Sequence, residues 1–287
     1  MKAIFRHEFE SYFKSMTGYV FIGFLLLFVG IYSYVYNLHS LLASFEYVLS
    51  GMSFIFLIIV PVITMKVIAE EKKQKTDQLL YSLPVTMTEV VMGKYLALLA
   101  LMAIPTAVIC IYPLILNFFG DVNLAGAYGA IAGFYFLGAA LLAVGMFVSS
   151  ITENQALAAG ITFVLLLVNY FIYSLASYLP STSYASLIAF AVLAVLIAFV
   201  FWLMTKNSYA SFIFGVAMEV ILIVLYIIDN TWFSNLFPDV MSQISLFERF
   251  NNFVDGIFDI TAIVFFLSVA GFFIYLSIQS LEKRRWS

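Results

Sequence analysis

The chain has 287 residues, of which 64% are hydrophobic, 18% aromatic and only 10% charged, with a formal net charge of −3. Apolar runs of about 20 residues recur, and about 20 helical residues span a hydrocarbon core of roughly 30 Å. This composition excludes a soluble globular domain and predicts an all-α, polytopic membrane protein. The single cysteine, Cys110, lies in an apolar run and excludes an intrachain disulfide framework.

Residues 1–16 are predicted to form an amphipathic helix at the membrane surface. Apolar side chains recur with the 3.6-residue period of a helix, at Phe5, Phe9, Tyr12, Phe13 and Met16. A polar row occupies the other side, at Lys2, Arg6, Glu10 and Lys14. We expect the aromatic side chains to enter the headgroup boundary. Docking of this helix on a soluble partner is the alternative.

About eight transmembrane helices are predicted from the apolar runs. They cover residues 17–37, 47–69, 94–118, 128–149, 155–178, 185–204, 209–228 and 259–280. Pro61, Pro105 and Pro113 lie inside the second and third of them and predict kinks there. Thr152 and Gln155 have the spacing of a capping box, which predicts a short turn before the fifth span.

Residues 70–93 form the longest charged interval, between the second and third spans. Leu79 and Leu80 precede a stop at Pro84, which cannot continue a helix. Thr86 and Glu89 have the spacing of a capping box at the start of the next helix. We therefore predict a helix, a break and a second helix at the membrane surface, which can receive a push from a soluble partner and pass it to both flanking spans.

Residues 230–258 are too charged for a ninth span, and we expect short amphipathic helices on the external side. Eight spans with the N-terminus inside leave Arg249 as the only external cation among the 13 Lys and Arg residues. The excess of cations on one side predicts a multi-pass protein of the cell (inner) membrane with both termini in the cytoplasm.

No phosphate-binding loop occurs in the chain. The only Gly-Lys pair, Gly93 and Lys94, is followed by Tyr95, and Thr88 stands where G-x-x-x-x-G-K-[ST] needs its first glycine. This excludes ATP hydrolysis by that route.

The pair Glu70 and Glu71 raises the alternative of an intramembrane protease, but such a site needs histidine ligands. The only histidines are His7 and His39, and neither falls in mid-membrane. We predict no catalytic residue, no metal site and no nucleic-acid partner.

Glu219 is the one acidic residue deep in a predicted span. A carboxylate there is costly unless it is paired or protonated, so it is a candidate intramembrane polar site. Asn169, near the middle of the fifth span, is either its polar partner or a helix–helix hydrogen-bonding group. Gly129 and Gly133 form a G-x-x-x-G pattern, which favours close packing inside the chain.

The interval at residues 70–95 resembles the first cytoplasmic loop of the permeases of type-2 ABC exporters. The shared pattern is E-E-K-K-x-x-T-x-x-L-L-x-S-L-P-V followed by V-x-x-G-K-Y. It departs at Lys75, where that family usually has glycine, so we expect a more helical turn there. Two further patterns, beginning at Phe250 and at Leu281, look like the subfamily of gliding-motility and nitrous-oxide-reductase-maturation permeases.

The resemblance implies a permease subunit of an ABC exporter, covering residues 1–287 as one transmembrane domain. It implies a second permease copy or a related permease, and two ATPase subunits that bind ATP and Mg while this chain carries no cofactor. The coupling interval would dock on the ATPase through an apolar knob and a polar rim, formed by Leu79, Leu80, Leu83 and Pro84 and by Glu71, Lys72, Lys73 and Thr76. The family core has six spans, so the sixth and seventh look like an added pair.

Two other functions remain open at this point. A proton-coupled secondary transporter would use Glu219, but it gives no reason for the charged interval. A non-transporting membrane scaffold would show no substrate-stimulated turnover when purified with its ATPase. No residue pattern names a substrate.

Overall fold

A computed structural model describes residues 1–76, 85–205 and 207–286. Within these ranges every regular element is a helix, which confirms the all-α prediction. The α-helices are α1 Lys2–Lys14, α2 Thr17–Ser33, α3 Glu46–Ser53, α4 Phe56–Thr64, α5 Ala69–Gln74, α6 Met87–Ile109, α7 Ile111–Asn117, α8 Leu124–Ile151, α9 Gln155–Tyr178, α10 Ser183–Thr205, α11 Ser208–Ile228, α12 Leu236–Ile244, α13 Leu246–Val254 and α14 Ile260–Trp286. A π-helix at Tyr34–His39 extends α2, and a 3₁₀ helix at Asn230–Phe233 precedes α12.

Each of the eight predicted spans coincides with helix in the described residues. Six helical segments are long and apolar enough to cross a membrane, and the pair Glu46–Ser53 and Phe56–Gln74, bent by 59°, makes up to seven. The remaining predicted span corresponds to α10, of which Ser183–Phe199 is a shorter apolar helix. The chain is therefore a polytopic helical membrane protein.

The bend in the second span was predicted at its proline, but the structure has it elsewhere. It lies at Phe54 and Ile55, whereas Pro61 lies inside α4. At the bend the hydrogen bonds tighten to the 3₁₀ type, with Ile55 N–H donating to Met52 O at 2.9 Å. Pro113 does accompany a break, between α6 and α7, because it has no N–H to donate to the Ile109 carbonyl. Pro105 lies inside α6.

The described contacts divide the chain into two compact units. The first comprises Met1–Val168 and Arg249–Ser287, and the second comprises Asn169–Glu248. The expectation of one permease domain over residues 1–287 remains a prediction about how the two units work together.

The first unit is built around α8, most of whose residues are buried. Several glycines of α8 lie where a neighbouring helix approaches closely. A Cβ at Gly133 would lie 2.6 Å from the Phe253 ring, and a Cβ at Gly145 would lie 2.8 Å from the Thr64 Cβ. The small residues of this helix therefore serve packing within the chain, as the G-x-x-x-G pattern predicts.

Helices α8 and α14 run parallel to each other. Near their starts, a Cβ at Gly129 would lie 3.5 Å from Phe258, and near their ends Ser280 Oγ donates to Ser150 O at 2.9 Å. Both helices therefore end at the same side of the first unit. The start of α6, all of α1 and the charged α5 also lie on this side, which we call the polar end.

In the second unit, α10 and α11 form an antiparallel hairpin. A Cβ at Gly215 would lie 3.0 Å from Ala198 Cβ, so a glycine lets these helices approach closely. The Asn207 side chain caps α11 by accepting from Ala210 N–H at 3.2 Å. Short helices follow between Asn230 and Val254, as predicted for the external segment.

Candidate functional site

The polar end holds a buried ion cluster centred on Lys94. The Lys94 side chain is 2% exposed, and its ammonium lies 2.7 Å from a carboxylate oxygen of Glu8 and 2.7 Å from one of Glu71. These three side chains come from α6, α1 and α5. One ammonium therefore ties the surface helix and the start of the charged interval to a transmembrane helix.

The residues on either side of Lys94 serve the same assembly. A Cβ at Gly93 would lie 3.0 Å from Ile4 Cγ2 and 3.4 Å from Phe5 N, so the glycine lets α1 lie directly on α6. Tyr95 Oη donates to Ala139 O in α8 at 3.0 Å. The G-K-Y sequence thus contacts α1, α5 and α8 with three successive residues.

Helix α5 is fixed at its start by α8. Ser149 Oγ accepts from Ile68 N–H at 3.1 Å and from Ala69 N–H at 3.0 Å, which satisfies donors that a helix start leaves unpaired. The Lys72 ammonium, 4% exposed, donates to the Ser150 carbonyl, which also accepts from Ser280. The first turn of the charged interval therefore has little freedom to move independently of α8 and α14.

Helix α5 ends at Lys75, which adopts a left-handed conformation with φ of 57°. The expectation of a more helical turn at this position is wrong. Thr76 N–H donates to Glu71 O at 3.0 Å and Lys75 N–H to Lys72 O at 3.2 Å, a closure that satisfies the last carbonyls of the helix. Lys75 thus adopts the left-handed conformation, which glycine adopts at a lower free-energy cost.

The residues predicted to dock an ATPase fall into three groups. Lys73 is exposed and Thr76 is half-buried, whereas Glu71 and Lys72 contact other helices of this chain. The apolar knob lies outside the described residues, at Leu79, Leu80, Leu83 and Pro84. The capping box after it is confirmed, with Glu89 N–H donating to Thr86 Oγ1 at 3.2 Å and Thr86 N–H to Glu89 Oε2 at 3.3 Å.

Helix α1 has the predicted polar row. Arg6 and Lys14 lie 2.7 and 3.1 Å from the Glu10 carboxylate and hold its pKa below the usual range. On the other face Tyr12 is buried, and burial raises the pKa of its hydroxyl. Met16 is 82% exposed and lies beyond the end of the helix, so the apolar face is shorter than predicted.

Three residues of this site, Glu8, Lys94 and Ser149, are not among those predicted from the sequence. A signal was available for Glu8, because it lies three residues after Phe5 and four before Tyr12, on the apolar face of α1. An acidic residue on that face requires a buried cation. No comparable pattern marks Ser149, whose role depends on where α5 meets α8.

Asn169 and Glu219 both lie in the second unit but do not form a pair, which was one of the two alternatives for Asn169. Asn169 accepts from Leu246 N–H at 3.0 Å and donates to Ile244 O at 3.2 Å, which joins α9 to the turn between α12 and α13. Glu219 is half-buried on α11 and forms no hydrogen bond or ion pair with any described residue. The described residues also contain no group of three His, Cys, Asp or Glu side chains able to hold a metal ion.

Comparison with known proteins identifies the family of this chain. A protein-family model described as ABC-2 family transporter protein matches residues 2–254. No curated protein and no solved structure matches the chain. Because the match covers most of the sequence, the chain belongs to the ABC-2 transporter family and is a membrane-spanning permease of an ABC transporter.

Proposed function

We propose that this permease is an exporter subunit driven by separate ATPase subunits, which dock on residues 70–93 from the cytoplasm. The observation that supports this is the Lys94 cluster, which joins α1, α5 and α6 directly beside the interval that resembles an ATPase-docking loop. The substrate is unidentified. The assembly would contain two permeases, identical or related, and two ATPase chains that bind ATP and Mg.

The contacts at the polar end give a physical route for coupling. A force on the interval reaches α6 through the ion pair of Glu71 and Lys94, and reaches α8 through the bond from Lys72 to the Ser150 carbonyl. Charge-assisted contacts of this kind in a buried setting resist separation more than exposed ones do. ATP-driven closure of the ATPases would therefore move several spans together.

The geometry changes which residues we propose as the docking rim. Glu71 and Lys72 serve attachment within the chain, and Lys73 is the exposed cation of α5 that remains for the rim. Leu79, Leu80 and Leu83 keep their proposed role as the apolar knob on the strength of the sequence alone.

The proposal is tested by replacing a leucine of the knob. Leu80→Asp should abolish co-purification of the ATPase, because a carboxylate would be buried without a partner at the centre of the interface. Lys73→Glu should mainly slow association, since exposed rim charges act chiefly on the association rate. The matched control is Lys283→Asp, at an exposed site outside the interval. Wild-type recovery of the ATPase with Leu80→Asp would contradict the docking site.

The proton-coupled alternative depends on Glu219 alone. Between residues 155 and 228 the only other charged residue is Lys206, at the hairpin turn. Proton relays in membrane proteins are usually chains of several ionisable groups, so the alternative is the weaker one. Transport in vesicles that follows a proton gradient and needs no nucleotide would favour it over an ATP-driven exporter.

A further inference from the structure

Two adjoining cavities lie beside α2 and α4 at the polar end of the first unit. The larger is about 610 Å³ and is lined by polar residues of α1, α5 and α6. The smaller is about 360 Å³ and is lined by apolar side chains of α2 and α4. Both are within the size range of sites for small organic molecules. They share Thr17, Ile63 and Lys66, so together they form one continuous amphipathic cleft.

The smaller cavity has the character of a site for a hydrocarbon chain. Apart from Thr17 and Lys66, its lining is apolar and includes Phe21, Phe24 and Val62. Its walls are two helices that cross the predicted hydrocarbon region, and side chains such as Val20 are exposed along it. A hydrocarbon chain entering from the bilayer would bury apolar surface here without unsatisfied polar groups.

The larger cavity has the character of a site for a headgroup that carries both charges. Lys66 lies at the junction of the two cavities, is exposed, and forms no ion pair with any described residue. The rest of the larger cavity's lining includes three carboxylates, Glu8, Glu70 and Glu71, and one further lysine, Lys94. Glu8 and Glu71 already outnumber the one Lys94 ammonium that they contact, and Glu70 adds a further negative charge, so this part of the lining has an excess of carboxylate.

The order of these groups along the cleft matches the order of groups in one class of lipid. From the bilayer inward the cleft presents apolar side chains, then a cation, then an excess of carboxylate. We propose that it binds one zwitterionic phospholipid whose headgroup ends in a primary ammonium. An acyl chain occupies the apolar cavity, the phosphate lies at Lys66, and the ammonium lies near Glu70. A purely anionic headgroup lacks the positive group that the carboxylates require. This site does not depend on the ATPase partner.

Native mass spectrometry of the purified full-length chain tests the proposal. Phosphatidylethanolamine, added at increasing concentration, should give a species with one bound lipid, and phosphatidylglycerol should bind about tenfold more weakly or less. Lys66→Gln should weaken phosphatidylethanolamine binding by a similar factor of about ten, because the phosphate loses its charge-assisted partner. Lys2→Gln, an exposed lysine of α1 outside both cavities, is the control and should bind as the parent does.

The apolar cavity is tested separately. Val20→Trp should fill it and abolish binding, whereas Leu27→Trp, on the same helix and similarly exposed at 56% against 60%, should leave binding unchanged. Equal binding of both lipids, or binding unaffected by Lys66→Gln and Val20→Trp, would overturn the proposal. Displacement of the lipid by millimolar glycerophosphoethanolamine or inorganic phosphate would also overturn it, because the site would then take a soluble phosphate rather than a lipid.

Discussion

At the scale of single residues, the charges around Lys94 depend on one another. Two carboxylates share one ammonium that is almost entirely buried. Burial of these charges is unfavourable, and their mutual attraction and hydrogen bonds offset that cost only while the set is complete. Removing the cation is therefore worse than removing one of the acids, because two carboxylates would face each other without a counter-charge.

We expect Lys94→Met to lower the free energy of unfolding by about 3–5 kcal/mol, the usual cost of leaving buried charges unpaired. Glu8→Gln keeps a hydrogen-bonding group beside the remaining ion pair and should cost about 1 kcal/mol. Lys2→Met removes an exposed lysine and is the control. Thermal unfolding of the purified chain in detergent measures the order of the three. A Lys94→Met transition within error of the parent would show that the cluster contributes nothing.

The sequence predicted residue types at the polar end better than it predicted residue roles. The charged pattern predicts that Glu71 and Lys72 face a partner, whereas both contact other helices of this chain. Sequence spacing gives the face of a helix on which a residue lies but not what lies opposite. Lys72 faces inward because α8 ends beside it, and that position depends on packing between residues far apart in the chain.

At the scale of secondary-structure elements, α8 determines how closely its neighbours pack. The Thr64 side chain, held by a bond from its Oγ1 to Val60 O at 2.8 Å, lies against Gly145. A β-branched side chain with its hydroxyl bonded has little freedom to move aside. Glycine at this position therefore sets the separation between α4 and α8.

Gly145→Ala should destabilise the chain by about 1–3 kcal/mol through overpacking against Thr64. Gly160→Ala is the matched control, because a Cβ at Gly160 meets no atom within 4 Å. That change should be neutral or stabilise α9 by up to about 1 kcal/mol, the difference in helix propensity. Unfolding temperatures of the two variants give the comparison. Equal unfolding temperatures for the two variants would mean that α4 is able to shift away from α8 without a loss of stability.

Helix positions were predictable at this scale because apolar runs of span length are unambiguous. Helix ends and bends were not. The capping box expected from Thr152 and Gln155 is absent, because Asn154 stands closer to the helix and accepts from Ala156 N–H at 2.9 Å. The bend at Phe54 and Ile55 has no sequence signal comparable to a proline.

At the scale of the whole chain, the parallel arrangement of α8 and α14 constrains the number of spans. If two helices cross the membrane in the same direction, the number of crossings that follow the first helix must be even. The second helix itself is included in this count. Crossings by α9, α10, α11 and α14 satisfy this requirement. Treating α10 and α11 as a single crossing would not. The excess of lysine at the polar end predicts that this end is cytoplasmic, and the count of eight spans remains a prediction that the parallel arrangement permits.

Cysteine labelling tests this topology in a Cys110→Ala background. Ser242→Cys should react with an impermeant reagent from outside intact cells. Gln74→Cys and Asn207→Cys should react only after the membrane is permeabilised, because both are expected on the cytoplasmic side. Labelling of Asn207→Cys in intact cells would disprove the assignment of α10 and α11 as two spans.

The hydrogen bonds of Asn169 have a consequence for how such a chain changes in evolution. Asn169 begins the second unit, and its bonds to Ile244 and Leu246 bring the beginning of that unit next to its end. A segment whose ends meet can be inserted or lost with little disturbance to its flanks. The hairpin that it carries is predicted to cross the membrane twice, and on that prediction its gain or loss leaves the direction of α14 unchanged. A gene encoding a shorter permease could acquire this segment in one event and still place its last helix correctly.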